Sequence, residues 1–328
     1  MRNFKIFICL LVCAAVLVVN AKMTDFLYPN NEMRVVVHKI QTADYDTLII
    51  GNSHGQCGID PVALEQFGGM HAINAASGNE FVIDAYYLVR LAAQSTDLKT
   101  VIYEIDSAYW MLDEAENCEL VKVYHEFPPS KLKFRYFQDK ILKSDFRTVP
   151  FEWYLYRNYL GRIDSLREMK SSDAYKNYSI EPFRSPVQLM QENGFIAIQR
   201  FEEDAPKADT SMTWHRENVK EKHLKNFKRL VDFCRENEIQ LVCIMTPVPE
   251  VTFSKDQPFS EDSIAYFTAL CESYDVPFHS YLTDGRDGIT HDLADYDDYD
   301  GHMYFDSAYS FSAVLAIDLP KLIENGKL

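Results

Sequence analysis

Apolar positions along this chain fall into two kinds of pattern, short unbroken runs and longer stretches at helical spacing, and the two alternate. Thr47 to Ile50 is a continuous apolar run that reads as a first strand. Asp60 to Phe67 opens a helical pattern, and His71 to Ala75 is a short second strand. Glu80 to Ala93 carries Phe81, Ile83, Ala85, Tyr87, Leu88 and Leu91 at helical intervals, and Thr100 to Ile105 forms a third strand. Farther on, Asn218 to Glu236 gathers Leu224, Phe227, Leu230, Val231 and Cys234 on one side of a helix and feeds the strand Ile239 to Met245. A helix at Ser260 to Tyr274, a strand at Val276 to Tyr281 and a closing helix at Ala308 to Ile323 complete the series. Short apolar runs separated by helices predict an α/β fold with a parallel sheet covered on both faces.

Two stretches stand outside this alternation. Met1 to Lys5 is a short basic start, and Ile6 to Val19 is an uninterrupted apolar run ending at Val19-Asn20-Ala21. That arrangement predicts a leader over residues 1–21, either a cleaved signal peptide or a retained signal anchor, and hence export to the cell envelope. The second stretch, about 107–216, interrupts the domain 22–328 between the third and fourth strands. It is rich in aromatics, including Tyr109, Trp110, Trp153, Tyr154 and Tyr156, and is expected to be a helical cap over the carboxyl edge of the sheet.

Composition narrows the choice. The chain has 328 residues, 47% apolar and 25% charged, with a net charge of −16. An acidic balance argues against nucleic-acid binding, which usually shows a basic face. Seven cysteines without a CxxC pair argue against a disulfide framework or a structural zinc site. The acidic run Asp292 to Asp300 lacks the alternation and terminal glutamate of a calcium loop, so no metal or other cofactor is expected.

Candidate chemistry sits at two distant places. Gly51-Asn-Ser53-His54 follows the first strand, where open α/β sheets display their reactive groups. Ser53 reads either as a helix cap or as a nucleophile. His302, in Asp298-Tyr-Asp-Gly-His-Met, reads either as structural or as that serine's base. With the first strand central, both fall at the same sheet edge. His54 reads equally as a substrate contact or a loop tie, and His279 and His291 as structural.

Taken in order, these blocks resemble the SGNH/GDSL hydrolase superfamily, and most closely its exported, membrane-associated branch of DltD-like and alginate-acetylation proteins. The resemblance is carried by Gly51-Asn-Ser-His54 with Gly58-Ile-Asp-Pro61, by Asn74-Ala-Ala-Ser-Gly78-Asn79, by Met245-Thr-Pro-Val-Pro249 and by His302 through Ser312. It implies a flavodoxin-like three-layer α/β/α fold and an acyl-serine mechanism, with Ser53 as nucleophile and His302 as base. The backbone N–H groups of Ser53 and Gly78, with the Asn79 side chain, would hold the oxyanion. The family's acid lies three residues before the histidine, where this chain has Tyr299; Asp300 is the first choice for that role and Asp298 the second. A Ser–His dyad is the further alternative. Where the family has an asparagine after the third strand, this chain has Glu104-Ile-Asp106. The implied substrates are acylated glycans or envelope polymers, acted on by an esterase or an O-acyltransferase. A catalytically silent scaffold, or a partner subunit of a membrane-bound O-acyltransferase, is the other reading.

Overall fold

A computed structural model describes residues 2–114, 117–144, 147–200 and 207–326. Parts of the expected leader and insertion (1, 115–116, 145–146, 201–206) lie outside the described residues. The chain divides into two compact units, 1–31 with 115–179 and 32–114 with 180–328.

The larger unit is built on a five-stranded parallel sheet. Its strands are β1 (Thr47–Ile50), β2 (Ala72–Asn74), β3 (Thr100–Glu104), β6 (Gln240–Met245) and β7 (Phe278–Ser280). They lie in the order β2-β1-β3-β6-β7. Counting only these five, the order is the flavodoxin-like 2-1-3-4-5. Two further strands, β4 (Gln188–Met190) and β5 (Ile196–Ile198), pair antiparallel as a separate hairpin.

Burial on both faces explains the unbroken apolar runs: all four residues of β1 are buried, as are Val101 to Glu104 of β3. Alternate residues serve opposite layers. Ile49, Ile102, Val242 and Ile244 belong to one core cluster with Phe311, Leu315 and Leu319 of the closing helix Phe305–Asn325. That helix packs on Pro61–Gly68. The opposite face carries Tyr103, whose ring lies near Phe227 of the helix Glu221–Glu236. The helices Val82–Ser95 and Met33–Thr42 complete that layer.

The smaller unit corrects the expectation of one continuous insertion over 107–216. Residues 115–179 fold with the N-terminal helix Arg2–Leu27, while 107–114 and 180–216 belong with the sheet. In this unit Leu27 and Tyr28 are buried, as are Val121, Phe127, Tyr136 and Tyr156, and the Tyr28 and Tyr156 rings meet edge to face. The Tyr28 ring stacks on His125 with centroids 3.6 Å apart. His125 Nδ1 and Tyr156 Oη in turn meet Glu152 at 2.7 and 2.6 Å. The N-terminal helix runs unbroken past Ala21, and residues Asn3–Leu27 are long and apolar enough to cross a membrane.

Candidate active site

At the switch point of the sheet, where the chain leaves β1 toward β2 on one side and later enters β3 on the other, the carboxyl ends of β1 and β3 open a crevice. Gly51 leaves β1 with φ 137°, and a Cβ there would lie 2.6 Å from the Glu104 carbonyl oxygen. Only glycine allows the chain to turn this close to β3. Ser53 then begins a short helix, Ser53–Gly58, instead of lying on a bare turn. Asn52 caps it, its Oδ1 accepting from Ser53 N at 2.7 Å.

The turn is tied down from beneath by two buried acids. Gly51 N donates to Glu80 Oε1 and Asn52 N to Glu104 Oε2, each at 3.1 Å. Asn74 Nδ2 donates to the carbonyls of Gly55 and Ile59, both at 2.8 Å, fixing the far end of the short helix to β2. Behind it, Asp60 N donates to Ser312 Oγ at 2.8 Å, which docks the closing helix onto the same turn.

His302 enters on a loop that the closing helix follows. Gly301 adopts φ 114°, and a Cβ there would be 3.0 Å from Val248, so the loop presses on the segment after β6. That reversal brings Asp298 back over the histidine. Its Oδ2 lies 2.5 Å from His302 Nδ1, while its Oδ1 accepts from the backbone N–H groups of Gly301 and His302 at 3.1 Å. Burial pulls the His302 pKa down, but the hydrogen bond and charge of Asp298, helped by Asp300 and Asp106, outweigh it and leave the imidazole above its usual value. Burial pushes Asp298 up, and the paired imidazole more than reverses that, leaving its carboxyl below its usual value.

The preference for Asp300 is therefore corrected. Asp300 accepts from Thr210 N at 3.1 Å and from Thr210 Oγ1, and the carboxylate hydrogen-bonded to His302 is Asp298. Two further members of the acidic run have structural duties: Asp295 pairs with Arg200, and Asp292 accepts from Ala294 N.

Ser53, His54 and His302 line one cleft of about 360 Å³ at this edge. The His54 and His302 rings meet edge to face, 5.2 Å between centroids. His54 Nδ1 stands 3.9 Å from both Glu104 Oε1 and Asp106 Oδ2, and burial, helped by the neighbouring His302, lowers its pKa more than Asp106, Asp298 and Asp300 raise it. Glu104 is almost wholly enclosed, and burial together with the charge of Asp106 pushes its pKa up to about 8. Asp106 caps the helix Ser107–Met111 through Ala108 N at 2.9 Å, which gives the carboxylate in the asparagine position a structural duty. Further walls come from Tyr109, from Thr210 to Trp214, and from Met245, Thr246, Val248, Thr252 and Phe253.

The expected oxyanion donors each have another partner. The Ser53 N–H is engaged by Asn52, which corrects the expectation that it is available. Gly78 does back onto the serine, since a Cβ there would lie 3.9 Å from Ser53 Cβ, and its N–H donates to Gln56 at a long 3.4 Å. Asn79 holds a left-handed φ of 64° and accepts from Tyr109 Oη at 3.2 Å. Gly78 and Asn79 lie outside the lining of the cleft. His279 bonds to Asp284, and both ring nitrogens of His291 lie on backbone carbonyls.

Sequence reasoning missed the supports Asn52, Glu80 and Thr210. The first was legible as a cap residue before a helix; the other two act across 29 and 90 positions, which no local pattern encodes. A scan against protein-family models and a search of curated proteins find no match to this chain.

Proposed function

We propose that this chain is an exported, membrane-associated serine esterase or O-acyltransferase of SGNH type, acting on acyl groups of envelope glycans or related polymers. The observation that carries the reading is the Asp298–His302 pair opening into the same cleft as Ser53. With Nδ1 committed to Asp298, Nε2 is the ring nitrogen left to take a proton. Ser53 Oγ attacks the acyl carbonyl, its proton passing to His302 Nε2. The leaving alcohol takes that proton as the C–O bond breaks and the acyl-serine forms. Water or a sugar hydroxyl then attacks the acyl-serine, giving its proton to His302, which returns it to Ser53. The oxyanion would be met by the backbone N–H groups of Ser53 and Gly78 only once they leave Asn52 and Gln56, their partners here.

The charge of the cleft bears on the substrate. Among the described residues its lining holds the carboxylates of Asp106, Asp256 and Asp300 beside the Glu104 carboxyl, and neither lysine nor arginine. A neutral acylated sugar suits these walls better than an anionic acyl donor.

One observation favours the rival reading of a catalytically silent scaffold: the Ser53 N–H is occupied by Asn52, and Asp106 stands where a neutral donor would serve an oxyanion. A fluorophosphonate probe separates the two. Labelling of the wild-type chain that disappears in Ser53→Ala is the expected result. An unlabelled, folded wild-type protein would give the site to the scaffold.

A further inference from the structure

We propose that the smaller unit is a membrane-interface collar: the N-terminal helix is retained as its anchor, and the segment Phe151–Ile163 rests in the anionic headgroup layer of the bilayer. This does not depend on the acyl chemistry, and its tests read no activity.

The first support is the way the helix is divided. From Phe4 to Val19 its large apolar side chains stand exposed on every side, Phe4 at 68%, Leu17 at 67% and Val19 at 65%. Farther on, Thr24, Leu27 and Tyr28 of the same segment are buried in the unit. A cleavable leader is dispensable to the mature fold, whereas this helix runs without a break from the bare half into the buried half.

The second support is a level mark. About 20 residues of helix cross the hydrocarbon layer, so a span counted from Phe4 ends near Met23. Asn20 lies just inside that boundary, and its Nδ2 donates to the Pro150 carbonyl at 2.8 Å. The segment that follows Pro150 is thereby held at the depth where hydrocarbon gives way to headgroups.

The third support is the chemistry of that segment. The 3-10 helix Glu152–Arg162 packs along the anchor. Around it Phe151 and Leu160 are 45% and 43% exposed, and Trp153 and Tyr154 are half-buried. Arg157 stacks over the Tyr154 ring at 4.3 Å and leaves its charge exposed. Tryptophan and tyrosine with arginine are the side chains that favour a membrane–water boundary, apolar at one end and wet at the other. Charge agrees. Residues 1–31 and 115–179 hold 15 basic against 10 acidic side chains, while the rest of the chain holds 18 against 39. The only net-positive unit of a chain at −16 is the one that carries the anchor.

The test reconstitutes the full chain in vesicles of phosphatidylcholine and phosphatidylglycerol whose acyl chains are brominated near the headgroup, and measures tryptophan emission. Trp110 and Trp214 are 1% and 3% exposed in the other unit, so Trp153 is the residue the bromines reach. Expected is partial quenching that Trp153→Phe abolishes. Arg157→Gln combined with Arg162→Gln, both at exposed positions, is expected to cut that quenching by about half in phosphatidylglycerol vesicles and to leave it unchanged in pure phosphatidylcholine. The intact mass of the chain recovered from membranes is expected to include the residues before Val19. Unquenched emission, quenching that survives Trp153→Phe, or a mature chain beginning near Lys22 would each overturn the proposal. Quenching that requires cell membranes and is absent from pure lipid would assign the surface to a protein partner and overturn it equally.

Discussion

Asp298 accepts three hydrogen bonds within the five-residue loop that ends at His302: its Oδ2 accepts from His302 Nδ1, and its Oδ1 accepts from the backbone N–H groups of Gly301 and His302. The carboxylate is thus oriented by the same turn that presents the imidazole. Asp300, two positions before the histidine, faces Thr210 instead.

This separation predicts unequal effects of two similar substitutions. Asp298→Asn should lower kcat on a small activated ester by about 100-fold or more, because it fixes the wrong tautomer and removes the charge that stabilises the imidazolium. Asp300→Asn should cost less than about tenfold. Steady-state kinetics of the two variants side by side check it, and equal losses would remove Asp298 from its assigned role.

On the proposed mechanism, the raised pKa of His302 would set the pH dependence of the reaction. A base must be neutral to accept a proton, so kcat/KM should rise with pH through a midpoint above the ordinary histidine value of about 6.5. In Asp298→Asn the midpoint should move down. For stability the sign runs the other way. The paired imidazolium contributes fully below about 6.5 and the contribution is lost as pH rises through the folded-state value.

Glu104 gives a second, separable pH effect. Its carboxyl is raised from 4.5 to about 8, so between those values the folded chain binds more protons than the unfolded chain. Stability then falls as pH rises across that window. Glu104→Gln should remove that slope, leaving the variant more stable than wild type near pH 8 by on the order of 2 kcal/mol. Denaturant melts at several pH values measure it, and an unchanged slope would show that Glu104 titrates normally.

Gly51→Ala tests the turn itself. With φ at 137° and the Glu104 carbonyl 2.6 Å from the added Cβ, the substitution should destabilise the fold by roughly 2 kcal/mol or more and disable the cleft with it. A melting temperature within about a degree of wild type would show that the turn relaxes freely.

Much of the sheet was legible because its strands are short apolar runs and its helices show clear periodicity; the observed ends of β2, β3, β6 and β7 fall within two residues of those expected. The helix Met33–Thr42 was not anticipated. Its run Val35-Val36-Val37 is β-branched, yet Met33, Val36, Val37 and Ile40 follow the i, i+3, i+4, i+7 spacing of the face they bury. The β4–β5 hairpin was also missed, although Asn193-Gly194 is a turn signal and Gly194 adopts φ 89°. Ser53 and His302 were identifiable from their places in the chain, and the structure gathers both into one cleft. Choosing Asp298 over Asp300 was beyond any spacing rule, since it depends on the chain reversal at Gly301 and on Thr210, 90 positions away from Asp300. The partition of the insertion was equally hidden, because it rests on contacts made by the N-terminal helix.

The two hydrogen-bonded partners at positions 298 and 302 need only each other and one glycine kink to stay aligned, whereas the hydroxyl they would serve arrives from a strand some 250 positions earlier. Gentle loosening of the closing helix from the turn at Asp60 would therefore leave an intact proton relay with nothing in front of it. Catalytic failure should precede global melting on warming, and the gap between those two temperatures measures how firmly one end of the polypeptide grips the other.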